Sequence, residues 1–232
     1  MEYGKIIKGK FISRPNRFVA KVEINGSEQD CHVKNTGRCK ELLIPNATVY
    51  LEDFSQVQKR KLKYSLVAVE KGERLINMDS QAPNKVVYEA LLNGEISFDG
   101  MGKLKLIKPE SSFLASRFDF FVEDEFKNGA YVEVKGVTLE SDGVVSFPDA
   151  PTERGVKHLN ELSKAINKGF LAYVIFVIQM EGVSYFTPNV NRHLEFATTL
   201  NEVAKSGVKV LAYDCLVTKS SLKINREVKV RL

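Results

Sequence analysis

The chain has 232 residues, of which 44% are hydrophobic and 27% charged, with a formal net charge of +5. A chain of this length forms one large or two small domains, and this hydrophobic share is ordinary for a globular protein with a packed core. No run reaches the roughly 18 apolar residues of a membrane helix, and the N-terminus has no apolar signal region. Composition therefore predicts neither a membrane protein nor a secreted one.

The three cysteines, Cys31, Cys39 and Cys215, form no even set that could pair completely. Cys31 and Cys39 lack the spacing of a zinc site. We therefore expect free thiols and a reducing, cytoplasmic location.

The positive charge is concentrated in the first third of the chain. Residues 1–80 hold 15 Lys and Arg against 10 Asp and Glu, whereas residues 81–232 hold 19 of each. A basic module beside a neutral one suits a protein that binds phosphates with one part and acts on them with the other. Plain solubility explains the same excess, so both interpretations stay open.

The first 80 residues predict short strands joined by turns, with Asn25-Gly26 as a clear turn signal. About five strands without a long helix are typical of a small OB-like β-barrel, a fold that often binds oligonucleotides. The linker would be residues 80–83. The predicted strands are Lys5–Ile12, Phe18–Ile24, Asp30–Lys34, Ala47–Glu52, Tyr64–Lys71 and Arg74–Met78.

Residues 81–232 alternate strands and helices, which predicts an α/β layer. Asn84 would cap a first helix, and the helix from Thr152 to Lys168 would show one polar and one apolar face. We therefore expect a two-domain α+β and α/β protein, divided at 1–80 and 81–232. The predicted elements are the helices Lys85–Leu92, Thr152–Lys168 and Arg192–Lys205, and the strands Lys103–Ile107, Arg117–Val122, Tyr131–Val137, Phe170–Ile178 and Val208–Tyr213.

Two acidic residues and a lysine stand out in the middle of the chain. Asp119 lies in an apolar run, and Glu133 and Lys135 lie in a second one. The turn signal Asn128-Gly129 falls between the runs. Two strands paired about residue 126 place Asp119 opposite Glu133, and Lys135 shares the face of Glu133 because residues i and i+2 of a strand do.

This set matches the polar core of a Mg²⁺-dependent phosphodiesterase. Mg²⁺ takes oxygen ligands from one or two carboxylates and a phosphate, and a lysine can orient water or stabilise charge on the phosphate. A solvated Glu-x-Lys salt bridge is the structural alternative. The chain holds a second copy of the spacing, Glu227 and Lys229 with Asp214 upstream, but no helix follows to enclose it.

Three stretches resemble motifs of the sugar fermentation stimulation protein A (SfsA) family, and Asn35-Thr36-Gly37-Arg38 resembles that family's N-terminal loop. The resemblance covers nearly the whole chain. It implies an N-terminal OB-like barrel followed by a PD-(D/E)xK nuclease-like mixed sheet flanked by helices, together with DNA binding and a role in regulating sugar use. The stretches are Ser116-Arg117-Phe118-Asp119-Phe120, Glu133-Val134-Lys135-Gly136-Val137-Thr138-Leu139 and Phe147-Pro148-Asp149-Ala150-Pro151-Thr152-Glu153-Arg154-Gly155-Val156-Lys157-His158-Leu159-Asn160-Glu161-Leu162.

Position by position, the resemblance implies Asp119 and Glu133 as ligands of Mg²⁺ or Mn²⁺ and Lys135 as the residue that serves the nucleophilic water. Domains of this type often add a carboxylate from the first helix, for which Glu89 is the first candidate and Glu110 the second. Asp149 either joins the metal shell or caps the following helix.

Arg154 and His158 would face phosphate, although a lone histidine is more often structural. Asn35 and Arg38 would meet the nucleic-acid backbone, with a tight turn at Gly37 as the structural alternative.

Three functions follow. The first is a metal-dependent nuclease acting on DNA. The second is a non-cleaving DNA-binding regulator of sugar (maltose) metabolism, and the third, weaker one is a small-molecule phosphoesterase. DNA, single-stranded or duplex, is the expected partner, membranes are not, and a homodimer is left open.

Overall fold

The computed structural model describes residues 1–35 and 37–232. The described residues form a β-rich first part and a second part in which a mixed sheet lies between helices. The strands are β1 Ile6–Asn16, β2 Val19–Ile24, β3 Ser27–Val33, β4 Thr48–Asp53, β5 Tyr64–Lys71, β6 Arg74–Asn77, β7 Leu104–Phe113, β8 Ser116–Asp124, β9 Gly129–Val137, β10 Glu140–Ser141, β11 Val144–Phe147, β12 Leu171–Ile178, β13 Tyr185–Pro188, β14 Lys209–Val217 and β15 Leu222–Glu227. The helices are α1 Ala82–Leu92, α2 Glu153–Asn167 and α3 Leu194–Lys205.

Strands β1 to β5 close into a small barrel. The order is β3-β2-β1-β4-β5, and a parallel pairing of β3 with β5 closes it. In β2 the side chains of Ala20, Val22 and Ile24 are buried, so every second residue fills the interior. This is the period-2 pattern that the sequence showed. The expected OB-like barrel is confirmed, with β6 paired to the second half of β5.

The second part is built on a six-stranded sheet in the order β15-β14-β12-β9-β8-β7. Strands β9, β12 and β14 run parallel, and β7, β8 and β15 join antiparallel. Helix α1 packs on one face of this sheet, and α2 and α3 lie on the other. The central strand β12 is buried on both faces, which explains its unbroken apolar run. The expected mixed sheet flanked by helices is therefore confirmed.

A small third sheet was not expected from the sequence. It joins β10, β11 and β13, of which the first has only two residues and the others four each. Strands this short carry too few residues to show a period, and the parallel pairing of β11 with β13 joins distant parts of the chain.

The barrel and the mixed sheet share one hydrophobic core. Phe11 and Leu66 of the barrel belong to the same buried cluster as Phe176 and Met180 of the second part. The side-chain amide of Gln179 donates hydrogen bonds to Asn77 and to the carbonyl of Asp79. The three cysteines are buried and free, as expected.

No helix among the described residues combines the length and the apolar character needed to cross a membrane.

Candidate functional site

The hairpin of β8 and β9 has the register that the sequence predicted. Phe120 pairs with Val132 and Phe121 with Tyr131, so the next position in the same register sets Asp119 beside Glu133. The regular ladder ends at Phe120 and Val132. One step further, the Asp119 carboxylate accepts the backbone N–H of Val134 at 2.7 Å and so takes over the role of a ladder carbonyl.

Strand β8 turns at Asp119. Phe118 packs in the cluster under α2, whereas Phe120 packs in the cluster under α1, although residues i and i+2 of a regular strand share a face. Asp119 lies at this change of face. Its carboxylate can therefore contact both β9 and the start of α1.

Asp119 is a partly buried carboxylate whose pKa is raised. Burial raises the pKa most, and the nearby charge of Glu133 raises it further. Hydrogen bonds from the Val134 N–H and the Asn84 side chain, and the charge of Lys135, offset part of this effect. The carboxylate lies close to a second negative charge, and this is an arrangement that a cation would stabilise.

Glu133 is 3% exposed and is held through one of its two carboxylate oxygens. Its Oε1 accepts hydrogen bonds from Lys135 Nζ at 2.6 Å and from His158 Nδ1 at 2.5 Å. Its Oε2 is buried and has no hydrogen-bond partner among the described residues. Burial raises the pKa of Glu133, but His158 and Lys135 outweigh it, so the pKa lies below its usual value.

Helix α2 brings His158 onto the sheet, where its ring lies edge-on to Phe118. Arg154 Nε lies 3.4 Å from His158 Nε2. Because a guanidinium can only donate, Nε2 is the acceptor, and the ring proton is on Nδ1 facing Glu133. Arg154 itself is exposed. Arg154, His158 and Glu133 thus form a chain from the surface to the buried carboxylate.

Helix α1 contributes Asn84 to the cluster and not Glu89. The helix begins at Ala82, so Asn84 is inside its first turn and is not the N-cap, which is Gln81. Asn84 Nδ2 donates to Asp119 Oδ1 at 2.7 Å. Glu89 lies five positions on, where its carboxylate accepts the N-terminal ammonium of Met1 at 2.6 Å. The prediction that Glu89 joins the cluster is therefore corrected.

Glu110 and Asp149 also lie outside the cluster. The exposed Glu110 carboxylate is 3.4 Å from Arg117. Asp149 is exposed and lies against Gly37 of the barrel. Thr152 caps α2, since its side chain accepts the Gly155 N–H, so the capping alternative for Asp149 is wrong. Among the described residues, no three His, Cys, Asp or Glu side chains form a group suited to a metal ion.

The segment of Asn35, Gly37 and Arg38 is held in a fixed shape, although Thr36 lies outside the described residues. Asn35 Oδ1 accepts the Gly37 N–H at 2.8 Å, and Asn35 Nδ2 donates to the carbonyl of Met78 at 3.2 Å. Both ends of the amide are therefore in use within the protein. The Arg38 side chain is exposed.

Sequence reasoning missed Arg14, which organises this segment. Its guanidinium donates to the carbonyls of Asn35, Gly37 and Arg38, at 2.5, 2.6 and 2.9 Å, and to that of Arg17. Arginine in a basic strand has many roles, and nothing in the local pattern of β1 distinguishes this one. The signal lies in contacts across more than 20 residues.

Asp214, the acidic residue upstream of the second Glu-x-Lys spacing, has a structural role. Asp214 is fully buried, and its carboxylate accepts hydrogen bonds from Asn225 and Arg226 on β15. These contacts hold β15 against β14. As expected from the sequence, no helix follows this spacing among the described residues.

Residues 12–78 match the SfsA N-terminal OB domain, and residues 81–221 match the sugar fermentation stimulation protein RE domain. The chain belongs to the sugar fermentation stimulation protein family. This confirms the resemblance drawn from the sequence motifs.

Relatives and a solved structure agree over the full length of the chain. Sugar fermentation stimulation protein homologs from Clostridium beijerinckii and Desulfitobacterium hafniense are 57% and 55% identical over 232 residues, covering 100% of this chain and 100% and 99% of theirs. The structure of Pyrococcus furiosus SfsA in complex with Ca²⁺ superposes with a TM-score of 0.88 at 26% identity, covering 100% of this chain and 98% of that one.

Proposed function

We propose that residues 81–232 form a PD-(D/E)xK nuclease-like domain that hydrolyses phosphodiester bonds in DNA, and that residues 1–80 form a barrel that holds the DNA. Asp119, Glu133 and Lys135 are the three elements of this motif, brought together at the end of the β8–β9 hairpin. The basic excess of residues 1–80 supports the division of labour.

The unpartnered Oε2 of Glu133 is the observation that carries this proposal. A buried carboxylate oxygen without a partner is costly, because it has lost its water and gained nothing in return. The register of the hairpin sets Asp119 beside Glu133, and the charge of Glu133 adds to the effect of burial in raising the pKa of Asp119. Two carboxylates in this arrangement fit a hard divalent cation such as Mg²⁺ or Mn²⁺, with Asp119 and Glu133 as its ligands. The Ca²⁺ complex of Pyrococcus furiosus SfsA supports a divalent ion in this family.

The cation, when bound, supplies positive charge at the scissile phosphate and lowers the pKa of a water. The protein's own groups complete the site. Lys135 orients the attacking water or stabilises the charge that develops on the phosphate. Asn84 and the Val134 N–H fix the orientation of Asp119. His158 fixes that of Glu133.

Phosphates next to the scissile one are held by the exposed guanidinium groups of Arg154 and Arg38. Arg154 reaches the cluster through His158, so a phosphate bound there would lie close to Glu133. The Asn35 side chain acts through the shape of its segment, because both its polar atoms are already bonded.

A DNA-binding regulator of sugar metabolism that does not cleave is the alternative. The absence of a three-ligand group among the described residues favours it, since many hydrolytic metal sites have more protein ligands than two. The relatives' name, sugar fermentation stimulation protein homolog, points in the same direction. In this alternative the same carboxylates would hold a cation that contributes to DNA binding and not to cleavage.

A cleavage assay separates the two. The full chain is incubated with single-stranded, duplex and branched DNA, with Mg²⁺, with Mn²⁺ and with EDTA. The variants are Asp119→Asn and, as a matched control on the same strand, Glu123→Gln, whose carboxylate pairs with Lys127 at the other end of the hairpin. We expect metal-dependent cleavage by wild type and Glu123→Gln and none by Asp119→Asn. Cleavage by Asp119→Asn at the wild-type level would reject the nuclease proposal. So would the absence of cleavage of every substrate by all three proteins.

A further inference from the structure

A groove of about 460 Å³ runs along the barrel between β1 and the segment from Gly37 to Pro45. Its apolar lining residues, here called the floor, include Ile12, Leu43 and Pro45. Its exposed basic lining residues, here called the rim, include Arg17, Arg38 and Lys40. The groove therefore has an apolar floor and a positively charged rim.

The apolar floor is partly open to solvent. Ile12 is 36% exposed and Pro45 is exposed, whereas Leu43 is 7% exposed. Apolar and basic side chains side by side can contact a ligand that presents both flat apolar groups and negative charges. Glu41 is the acidic residue on the same segment, and it leaves the rim positive overall.

Gly37 lines both this groove and a second cavity of about 160 Å³, which Asp149 and Gly136 also line. A side chain at position 37 would crowd this point, since an added Cβ would lie 2.6 Å from an Asp149 oxygen. The groove and the second cavity thus lie on either side of Gly37.

We propose that this groove binds single-stranded DNA. Single-stranded DNA presents unpaired bases to an apolar floor and phosphates to a basic rim at the same time. A duplex has its bases stacked inside and would leave the floor unused. This proposal rests on the proposed role of the barrel in holding DNA, but it does not depend on cleavage.

Binding is measured by fluorescence anisotropy of the full chain, in EDTA and at several salt concentrations. The probes are a thymidine oligonucleotide, its uridine counterpart and the duplex of the thymidine strand. Arg38→Ala with Lys40→Ala is compared with Lys59→Ala with Lys61→Ala, which removes the same charge from another exposed part of the barrel.

The groove variant should bind the thymidine strand more weakly and flatten the plot of log K against log salt by about 1.4, at roughly 0.7 for each lost phosphate contact. The control pair should leave both quantities near wild type. Equal losses from the two pairs would overturn the groove and leave only a general charge effect.

A second comparison isolates the floor. Ile12→Ser should weaken binding of the single strand without changing the salt slope, whereas Val57→Ser, at an exposed apolar residue elsewhere on the barrel, should not. Ile12→Ser binding as tightly as wild type would overturn the role of the floor. Tighter binding of the duplex, or of the uridine strand, would overturn single-stranded DNA as the occupant.

The outcomes separate this proposal from the nuclease proposal. Groove-dependent binding without cleavage keeps the groove and rejects the nuclease. If wild type cleaves single strands in the presence of metal and the groove variants bind DNA as tightly as wild type, the nuclease proposal is kept and the groove proposal is rejected.

Discussion

At the scale of single residues, the cluster shows a conflict between stability and function. Asp119 carries a raised pKa because it is buried and lies near Glu133. Since its pKa in the folded state lies above that in the unfolded state, ionised Asp119 destabilises the fold at every pH above both values. The penalty fades as pH falls through the folded pKa and is gone below the unfolded one.

Asp119→Asn should therefore raise the melting temperature at neutral pH in EDTA, because the charge is removed while an oxygen remains for the Val134 N–H. The gain over wild type should vanish in acid. Thermal unfolding across pH tests this, and added Mg²⁺ should stabilise wild type but not the variant. A variant that is less stable than wild type at neutral pH in EDTA would contradict the expectation.

Lys135 gives the second prediction at this scale. Lys135→Ala should lower cleavage on the order of 10²-fold or more, as with other groups that stabilise developing charge. It should also raise the pKa of Glu133, because Lys135 is one of the groups that lower it. Lys127→Ala, on the turn of the same hairpin, is the matched control. Full activity in Lys135→Ala would show that Lys135 has no catalytic role and only forms a salt bridge with Glu133.

At the scale of elements, the phase of α1 decides which of its residues serve the site. The helix buries Val86, Val87, Ala90 and Leu91, and this turns Asn84 towards Asp119 and Glu89 towards Met1. Asn84→Ala should therefore reduce cleavage and metal affinity more than Glu89→Gln. Kinetics and metal titration on both variants give the comparison, and a larger loss from Glu89→Gln would mean that Glu89 and not Asn84 serves the site.

The segment after β3 is held in place by Arg14, and this role can be tested. Arg14→Ala removes the donor to the carbonyls of Asn35, Gly37 and Arg38, and lost hydrogen bonds at partly buried groups cost about 1–3 kcal/mol. We expect faster amide hydrogen exchange at Gly37 and Arg38 and weaker DNA binding. Arg17→Ala is the control for protection of the segment, since among the described residues the Arg17 side chain donates no hydrogen bond to it. Unchanged exchange in Arg14→Ala would rule out this supporting role.

The sequence predicted some elements better than others for physical reasons. The β8–β9 register followed from one turn signal and two apolar runs, because a hairpin leaves little freedom once its turn is placed. The phase of α1 did not follow, since Asn84 and Glu89 are both polar and only packing decides which faces the site. The contacts of Arg14 and Asp149 join the two halves of the chain or distant loops, and local patterns carry no information about them.

At the scale of the whole molecule, the two halves are coupled. The shared core, the bonds of Gln179 to the barrel, and the ion pairs of Glu140 with Lys71 and Arg74 all cross between them. A fragment that ends near Gln81 would expose part of this core. We therefore expect the full chain to unfold in one cooperative transition.

Calorimetry and denaturant unfolding followed by two probes test this coupling. Coincident transitions, with equal calorimetric and van't Hoff enthalpies, are expected. Gln179→Ala, which loses the bonds to Asn77 and Asp79, should lower the midpoint without splitting the transition. Two separate transitions in the wild-type protein would show that the barrel and the mixed sheet are independent.

The central claim is that Asp119 and Glu133 together hold a divalent cation. Calorimetric titration of Mg²⁺ and Mn²⁺ into wild type, Asp119→Asn and Glu123→Gln, all at neutral pH, tests it most directly. We predict saturable binding by wild type and Glu123→Gln and a loss of that binding in Asp119→Asn. Binding of equal affinity and stoichiometry in all three proteins would contradict the claim.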